Sequence, residues 1–150
     1  MQKRDSEFMQ AALEQSYKAF KIGEVPVGAV LVYKEEIIAK GYNTTIKNHD
    51  ASSHAEINVI RAASKIIGNY RLTNSKLYVT LEPCIMCLGA AVNARVQEII
   101  FAAEDKRFGA LLNHKILEIA DLNHKVAFRQ GPLKLESSKI LKEFFRSKRN

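Results

Sequence analysis

Lys76-Leu77-Tyr78-Val79-Thr80-Leu81-Glu82-Pro83-Cys84-Ile85-Met86-Cys87 carries a strand, a turn and the start of a helix in one short run. Positions 76–81 are bounded by a turn signal and read as a buried strand. Pro83 is then placed to open a helix running to about Ala94, because the missing N–H of proline costs nothing in a first turn. Cys84 and Cys87 stand three apart in that turn, so their sulfurs can face one side.

The alternation of strand and helix extends outward from this stretch in both directions. Towards the N-terminus, Asp5 to Lys21 places Phe8, Met9, Ala12, Leu13, Tyr17 and Phe20 close to a helical period. Val25 to Tyr33 reads as a buried strand, Lys34-Glu35-Glu36 turns the chain, and Ile37 to Tyr42 completes a hairpin. A polar loop, Asn43 to Ser53, leads into a helical stretch from His54 to about Ile67. Towards the C-terminus, Gln97 to Ala102 is a fourth strand, Leu111 to Ala120 a weaker helix and Lys125 to Phe128 a short strand. A last helix, Leu135 to about Arg146, follows the Gly131-Pro132 break. The order α-β-β-α-β-α-β-α-β-α predicts an α/β fold, a mixed sheet with helices on both faces.

No repeat, low-complexity segment or boundary interrupts this order, and residues 1–150 read as one domain. A chain of 150 residues that is 47% hydrophobic can bury its own core. The formal charge of +7 is compatible with an anionic partner such as RNA, and equally with simple solubility. Lys134 to Asn150 holds six basic and two acidic residues, so +4 of the +7 lies there. Taken by itself, that run is a solvated basic helix with a frayed tail. Met1 to Phe8 has charges of both signs and no apolar core, unlike a signal peptide. No apolar run approaches the ~18 residues that cross a bilayer. The expectation is a soluble protein of the cytoplasm with no membrane partner.

Two short motifs carry chemistry, His54-Ala55-Glu56 and Pro83-Cys84-Ile85-Met86-Cys87. Each sits where a loop becomes a helix. The positive end of a helix favours the thiolate that binds zinc, and His54 can add a third ligand from the other helix. Two thiolates and an imidazole balance Zn²⁺ and leave a fourth position for water, as in a catalytic site. Zinc lowers the pKa of bound water from ~15.7 towards ~7. Glu56 beside it can take that proton and deliver it to a leaving amine, which deamination requires. Residues two apart in a helix interior point apart, so His54 and Glu56 can share a site only where the helix begins. Other readings stand beside this one. Ser53 to Glu56 also fits a capping box, and the two cysteines fit a redox pair or a closed structural zinc site. A two-Cys, two-His finger places its histidines ~12 residues after the second cysteine. Here His114 lies 27 residues beyond Cys87 and His124 ten further, which does not fit.

This motif pair is that of the zinc nucleobase deaminases. The chain resembles the bacterial tRNA-specific adenosine deaminases along nearly its whole length, in Glu24 to Val30, His54 to Ile57, Asn69 to Leu72, Leu77 to Cys87, Leu122-Asn123-His124 and Phe144-Phe145-Arg146. The resemblance implies a three-layer α/β/α cytidine-deaminase-like fold with a five-stranded sheet, assembled as a homodimer. It implies conversion of adenosine to inosine at the wobble position of a tRNA anticodon, with one Zn²⁺ per subunit and no nucleotide cofactor. By match, His54, Cys84 and Cys87 hold zinc and Glu56 shuttles protons. Asn43 matches a residue that contacts the target base, and Pro26 and Val27 match pocket walls. Asp105 matches an aspartate close to the RNA backbone, where a carboxylate can accept from a ribose 2′-OH that DNA lacks. Phe145 and its basic neighbours match a helix that meets the anticodon loop. Lys106 to Asp121 departs most from the family pattern.

Two rival functions remain at this stage. One is a guanine or cytosine deaminase acting on free bases or nucleosides with the same chemistry. The other is a non-catalytic RNA-binding module with a structural zinc, in which Glu56 only starts a helix.

Overall fold

The computed structural model describes residues 3–149, so residues 1, 2 and 150 of the expected domain lie outside the described residues. The chain runs α1 (Asp5–Lys21), β1 (Gly28–Tyr33), β2 (Glu36–Tyr42), α2 (Ala55–Ile67), β3 (Ser75–Leu81), α3 (Ile85–Asn93), β4 (Glu98–Ala103), α4 (Ile116–Ile119), β5 (Ala127–Gln130) and α5 (Lys134–Arg149). The strands form one sheet in the order β2-β1-β3-β4-β5. β1 is antiparallel to both β2 and β3, while β3, β4 and β5 run parallel. The expected α/β fold and five-stranded mixed sheet are present.

The central strands are apolar at nearly every position because both faces of the sheet are covered. Side chains alternate between faces along a strand. Ala29, Leu31, Leu77, Val79, Ile99 and Phe101 therefore point to one side, where they pack with Val59 of α2 and Leu88 and Val92 of α3. Val30, Val32, Tyr78, Ile100 and Ala102 point to the other and meet Phe8, Met9 and Ala12 of α1. α5 lies beside α1, with Phe144 edge-on to Phe20. Gly28 lets α1 approach the sheet closely: a Cβ there would stand 2.0 Å from the Ala12 carbonyl oxygen.

Several boundaries differ from expectation, each for a local reason. The first strand begins at Gly28 rather than Val25, because a three-residue turn centred on Pro26 (Val27 N–H to the Val25 carbonyl, 2.8 Å) bends Val25–Val27 out of the ladder. Pro83 precedes the helix it was expected to open: Cys84 is the N-cap and α3 starts at Ile85. The weaker helix shrinks to the single turn of α4, and β5 pairs two residues later than expected.

Candidate active site

The two parallel-strand ends and the hairpin base meet at one edge of the sheet. The start of β1, the end of β2, the N-termini of α2 and α3, and the loop after β4 all open there. Crevices at the carboxyl ends of parallel strands are the usual ligand sites of such sheets. A cavity of about 420 Å³ lies at this edge, walled by Val25, Val27, Asn43, Glu56, Leu81 and Phe108 among others.

His54 and Cys84 are the N-cap residues of α2 and α3, both in extended backbone conformation. As an N-cap, His54 stands outside the helix and is free of the opposed directions that residues two apart have within it. His54 and Glu56 thus line the same cavity. The His54 Nδ1 atom lies 3.6 Å from Cys84 Sγ and 3.5 Å from Cys87 Sγ. All three ligand atoms fall within 4.8 Å of one another. A tetrahedral zinc with Zn–S of about 2.3 Å and Zn–N of about 2.05 Å sets a sulfur–nitrogen edge of about 3.6 Å. The donor set and its spacing therefore fit zinc.

The electrostatics follow from burial and from the hydrogen bonds among these groups. A hydrogen bond with Cys87 holds the Cys84 thiol down to about 4, and the same bond, with burial, pushes Cys87 up. Contact with Cys84 raises His54. Burial pushes the Glu56 carboxyl up to about 7. Glu56 is only 4% exposed and sits beside Cys87. The capping box is not formed: the N-cap of α2 is His54, whose side chain makes no capping bond, and Ser53 Oγ instead donates to Asp50 Oδ2 at 2.9 Å. Glu56 is thereby left to face the cavity.

The other expected residues divide. Val27, Asn43 and Asp105 line the cavity. Asn43 is buried, and its Nδ2 donates to Glu24 Oε1 at 3.4 Å. Pro26 is buried outside the cavity lining, shaping the turn between Val25 and Val27 rather than forming wall itself. Asp105 also acts as a turn residue, its Oδ1 accepting the N–H groups of Arg107 and Phe108 at 3.1 Å each. Phe145 lies away from the cavity on α5, 45% exposed, in a groove with Lys142 and Arg146. Its neighbour Phe144 takes the core position.

Residues not singled out from the sequence also build the site. Phe108 and Ile85 are exposed apolar side chains at its mouth. Glu24 is a buried carboxylate behind its wall, and Glu82, equally buried, contributes to the lining itself. The available signal was an acid embedded in an apolar run, as in Leu81-Glu82-Pro83. A buried carboxylate must be hydrogen-bonded, and here the partners are loops.

A family model described as MafB19-like deaminase matches residues 3–149. A tRNA-specific adenosine deaminase of Buchnera aphidicola subsp. Schizaphis graminum is 42% identical over 146 residues, covering 97% of each chain. A solved structure from work on A-to-I editing by tRNA:A34 deaminases at the wobble position of transfer RNA superposes with a TM-score of 0.88 and 38% identity, covering 91% of this chain and 99% of that one. A guanine deaminase from Bacillus subtilis superposes with a TM-score of 0.66 and 30% identity, covering 98% and 95%.

Proposed function

The chain belongs to the tRNA-specific adenosine deaminases, and on that premise we propose that it is a zinc-dependent hydrolase converting adenosine to inosine at the wobble position of a tRNA anticodon. The observation that carries this reading is the meeting of His54, Cys84 and Cys87 at two helix N-termini with buried Glu56 in one cavity wall. Higher identity and a closer superposition favour the tRNA group over the guanine deaminases.

His54 Nδ1 and the sulfurs of Cys84 and Cys87 would hold the ion. When bound, it supplies the Lewis acidity that brings water towards ionisation near pH 7. The carboxylate of Glu56 takes a proton from the attacking water and delivers it to the base. A C–O bond forms at the amino-bearing carbon, the C–N bond breaks, and the amine leaves as ammonia. Asn43, oriented by Glu24, presents its amide to the base edge. Val27 and Val25 supply apolar wall against the ring faces. A base must leave its stack to enter, at a cost of a few kcal/mol that a loop reduces, and this suits an anticodon. The second oxygen of Asp105 is the one a ribose 2′-OH would meet, which favours RNA over DNA. Phe145 with Lys142 and Arg146 would meet the loop from α5.

In this reading residues 1–150 act as one deaminase domain in the cytoplasm, where tRNA is found. The chain would pair with a second copy through the shallow apolar groove between α2 and α3, lined by Ile57, Ile60, Tyr70 and Ala90. Sedimentation of the zinc-loaded protein at micromolar concentration checks the dimer, and a monomer there refutes it.

The test of function is incubation with a tRNA bearing adenosine at the wobble position, with free adenosine, guanine and cytosine in parallel. Inosine in the tRNA with the small molecules unchanged is expected. Turnover of a free base alone would transfer the reading to the nucleobase deaminases.

A further inference from the structure

Glu82 is 2% exposed, and the loop after β4 consumes both of its oxygens. Oε1 accepts from the Asp105 N–H at 3.1 Å and from Asn113 Nδ2 at 2.7 Å. Oε2 accepts the N–H groups of Leu111 at 3.0 Å, Leu112 at 2.8 Å and Asn113 at 3.3 Å. Most of these donors are main-chain amides, so the loop wraps the carboxylate as a nest of backbone N–H groups wraps a bound anion. Gly109 permits the fit. A Cβ at that position would lie 2.2 Å from Glu82 Cδ and 2.3 Å from Oε2. The loop held in this way carries Asp105 and Phe108 to the mouth of the cavity, where Asp105 in turn orders the amides of Arg107 and Phe108.

We infer that Glu82 is a positioning residue for substrate: its carboxylate folds residues 105–113 into the cavity wall, and so governs how tightly the RNA-borne base is held. This rests on the tRNA deaminase reading above. The carboxylate makes this wall through five acceptor contacts. A glutamine has the same size but turns an N–H₂ towards backbone donors, leaving donor facing donor in a buried place. The wall should loosen while His54, Glu56, Cys84 and Cys87 stay in position.

The experiment is a kinetic cycle of Glu82→Gln, Gly109→Ala and the double variant on the wobble-adenosine tRNA. Zinc content and amide hydrogen exchange are measured on each. Glu82→Gln is expected to raise KM about tenfold, as the loss of an acceptor shared by buried donors implies, with kcat at saturation and zinc content retained. Exchange at the amides of residues 105 and 111–113 should quicken. Gly109→Ala pushes the loop off an intact carboxylate and is expected to shift KM in the same way. The double variant should then do no more than the stronger single one, because both release the same clamp. An unchanged KM in Glu82→Gln overturns the inference. So does a fall in kcat with loss of zinc, or additivity in the double variant. If Glu82→Gln fails to fold, Gly109→Ala decides alone, and wild-type kinetics there overturn the inference. If the wild-type enzyme makes no inosine, it is the functional reading that falls, and the exchange comparison still tests the clamp.

Discussion

The cavity has two opposite kinds of wall. The wall bearing His54, Glu56 and Cys84, with Cys87 buried behind it, is made of side chains set at the N-terminal ends of two regular helices, α2 and α3. The wall bearing Asp105 and Phe108 is the reverse: irregular backbone whose amides at 105 and 111–113 are paired by one side chain, Glu82, 23 to 31 positions earlier in the chain, and whose amides at 107 and 108 are paired by Asp105. The first wall takes its geometry from local helix starts, and the second leans on a distant anchor as well as its own turn. Chemistry that must keep atoms within a fraction of an ångström belongs on the first. A surface that adapts to a particular RNA loop can be built on the second, whose support leaves its outward residues free.

The largest test of this contrast is Glu56→Gln. If the helix-end wall does the chemistry, kcat should fall by ~10²–10⁴-fold, the usual worth of a positioned acid–base group. Zinc content and tRNA affinity should be retained, and single-turnover kinetics with a filter-binding titration would show both. Retained turnover would mean that the wall merely holds metal, as in the structural-zinc reading. Next in size is a comparison of stability. Leu88 of α3 is 1% exposed within the main core, so Leu88→Ala should cost about 2–5 kcal/mol. Ile119, in the turn after the anchored loop, is 76% exposed. Ile119→Ala should stay within about 0.5 kcal/mol. Urea melts that gave equal losses would show the second wall to be as deeply packed as the first.

The same contrast explains what could be read from the sequence. His54-Ala55-Glu56 and the Cys84–Cys87 pair were legible because residue type and spacing together encode the chemistry. The central strands were legible because apolar residues on both faces leave a continuous run. The Leu111 to Ala120 segment was misread as a helix: its periodicity is real, but the amides of Leu111, Leu112 and Asn113 donate to Glu82 instead of to helical carbonyls. Tertiary hydrogen bonding overrode local propensity there, and helix pattern survives only over Ile116–Ile119. β5 was displaced because an edge strand of four residues, two exposed and two half-buried, carries little pattern. Pro26 and Pro83 were each assigned to the element they precede, although both act in the turn that leads into it. The anchoring role of Glu82 had no local signal beyond a charge in an apolar run, since its partners lie 23 to 31 positions away in sequence.

Smaller effects should follow at the second wall. Phe108 is exposed at the cavity mouth, and its ring can stack on a nucleobase. Base–aromatic stacking is worth ~1–3 kcal/mol by alanine substitution, which sets an upper limit of roughly a hundredfold for a fully stacked base. A side chain at the rim should give the low end, so Phe108→Ala is expected to raise KM a few-fold with kcat unchanged. A fall in kcat of the same size would place Phe108 against the reacting ring and erase the division of labour between the walls.

The smallest effect expected is at the margin, on α5. Arg146 lies in the groove with Lys142, Phe145 and Arg149, away from the cavity. A cation that meets phosphate there adds affinity through counterion release, and the effect is the same for every RNA sequence. Arg146→Ala should therefore weaken tRNA binding modestly and uniformly, and reduce the slope of log affinity against log salt by about 1. It should leave the contrast between the two walls intact, because it touches neither. Binding titrations from low to moderate salt measure that slope directly. An unchanged slope would return α5 to the role its composition first suggested, a solvated basic helix. The RNA contact would then have to be carried by the two cavity walls alone.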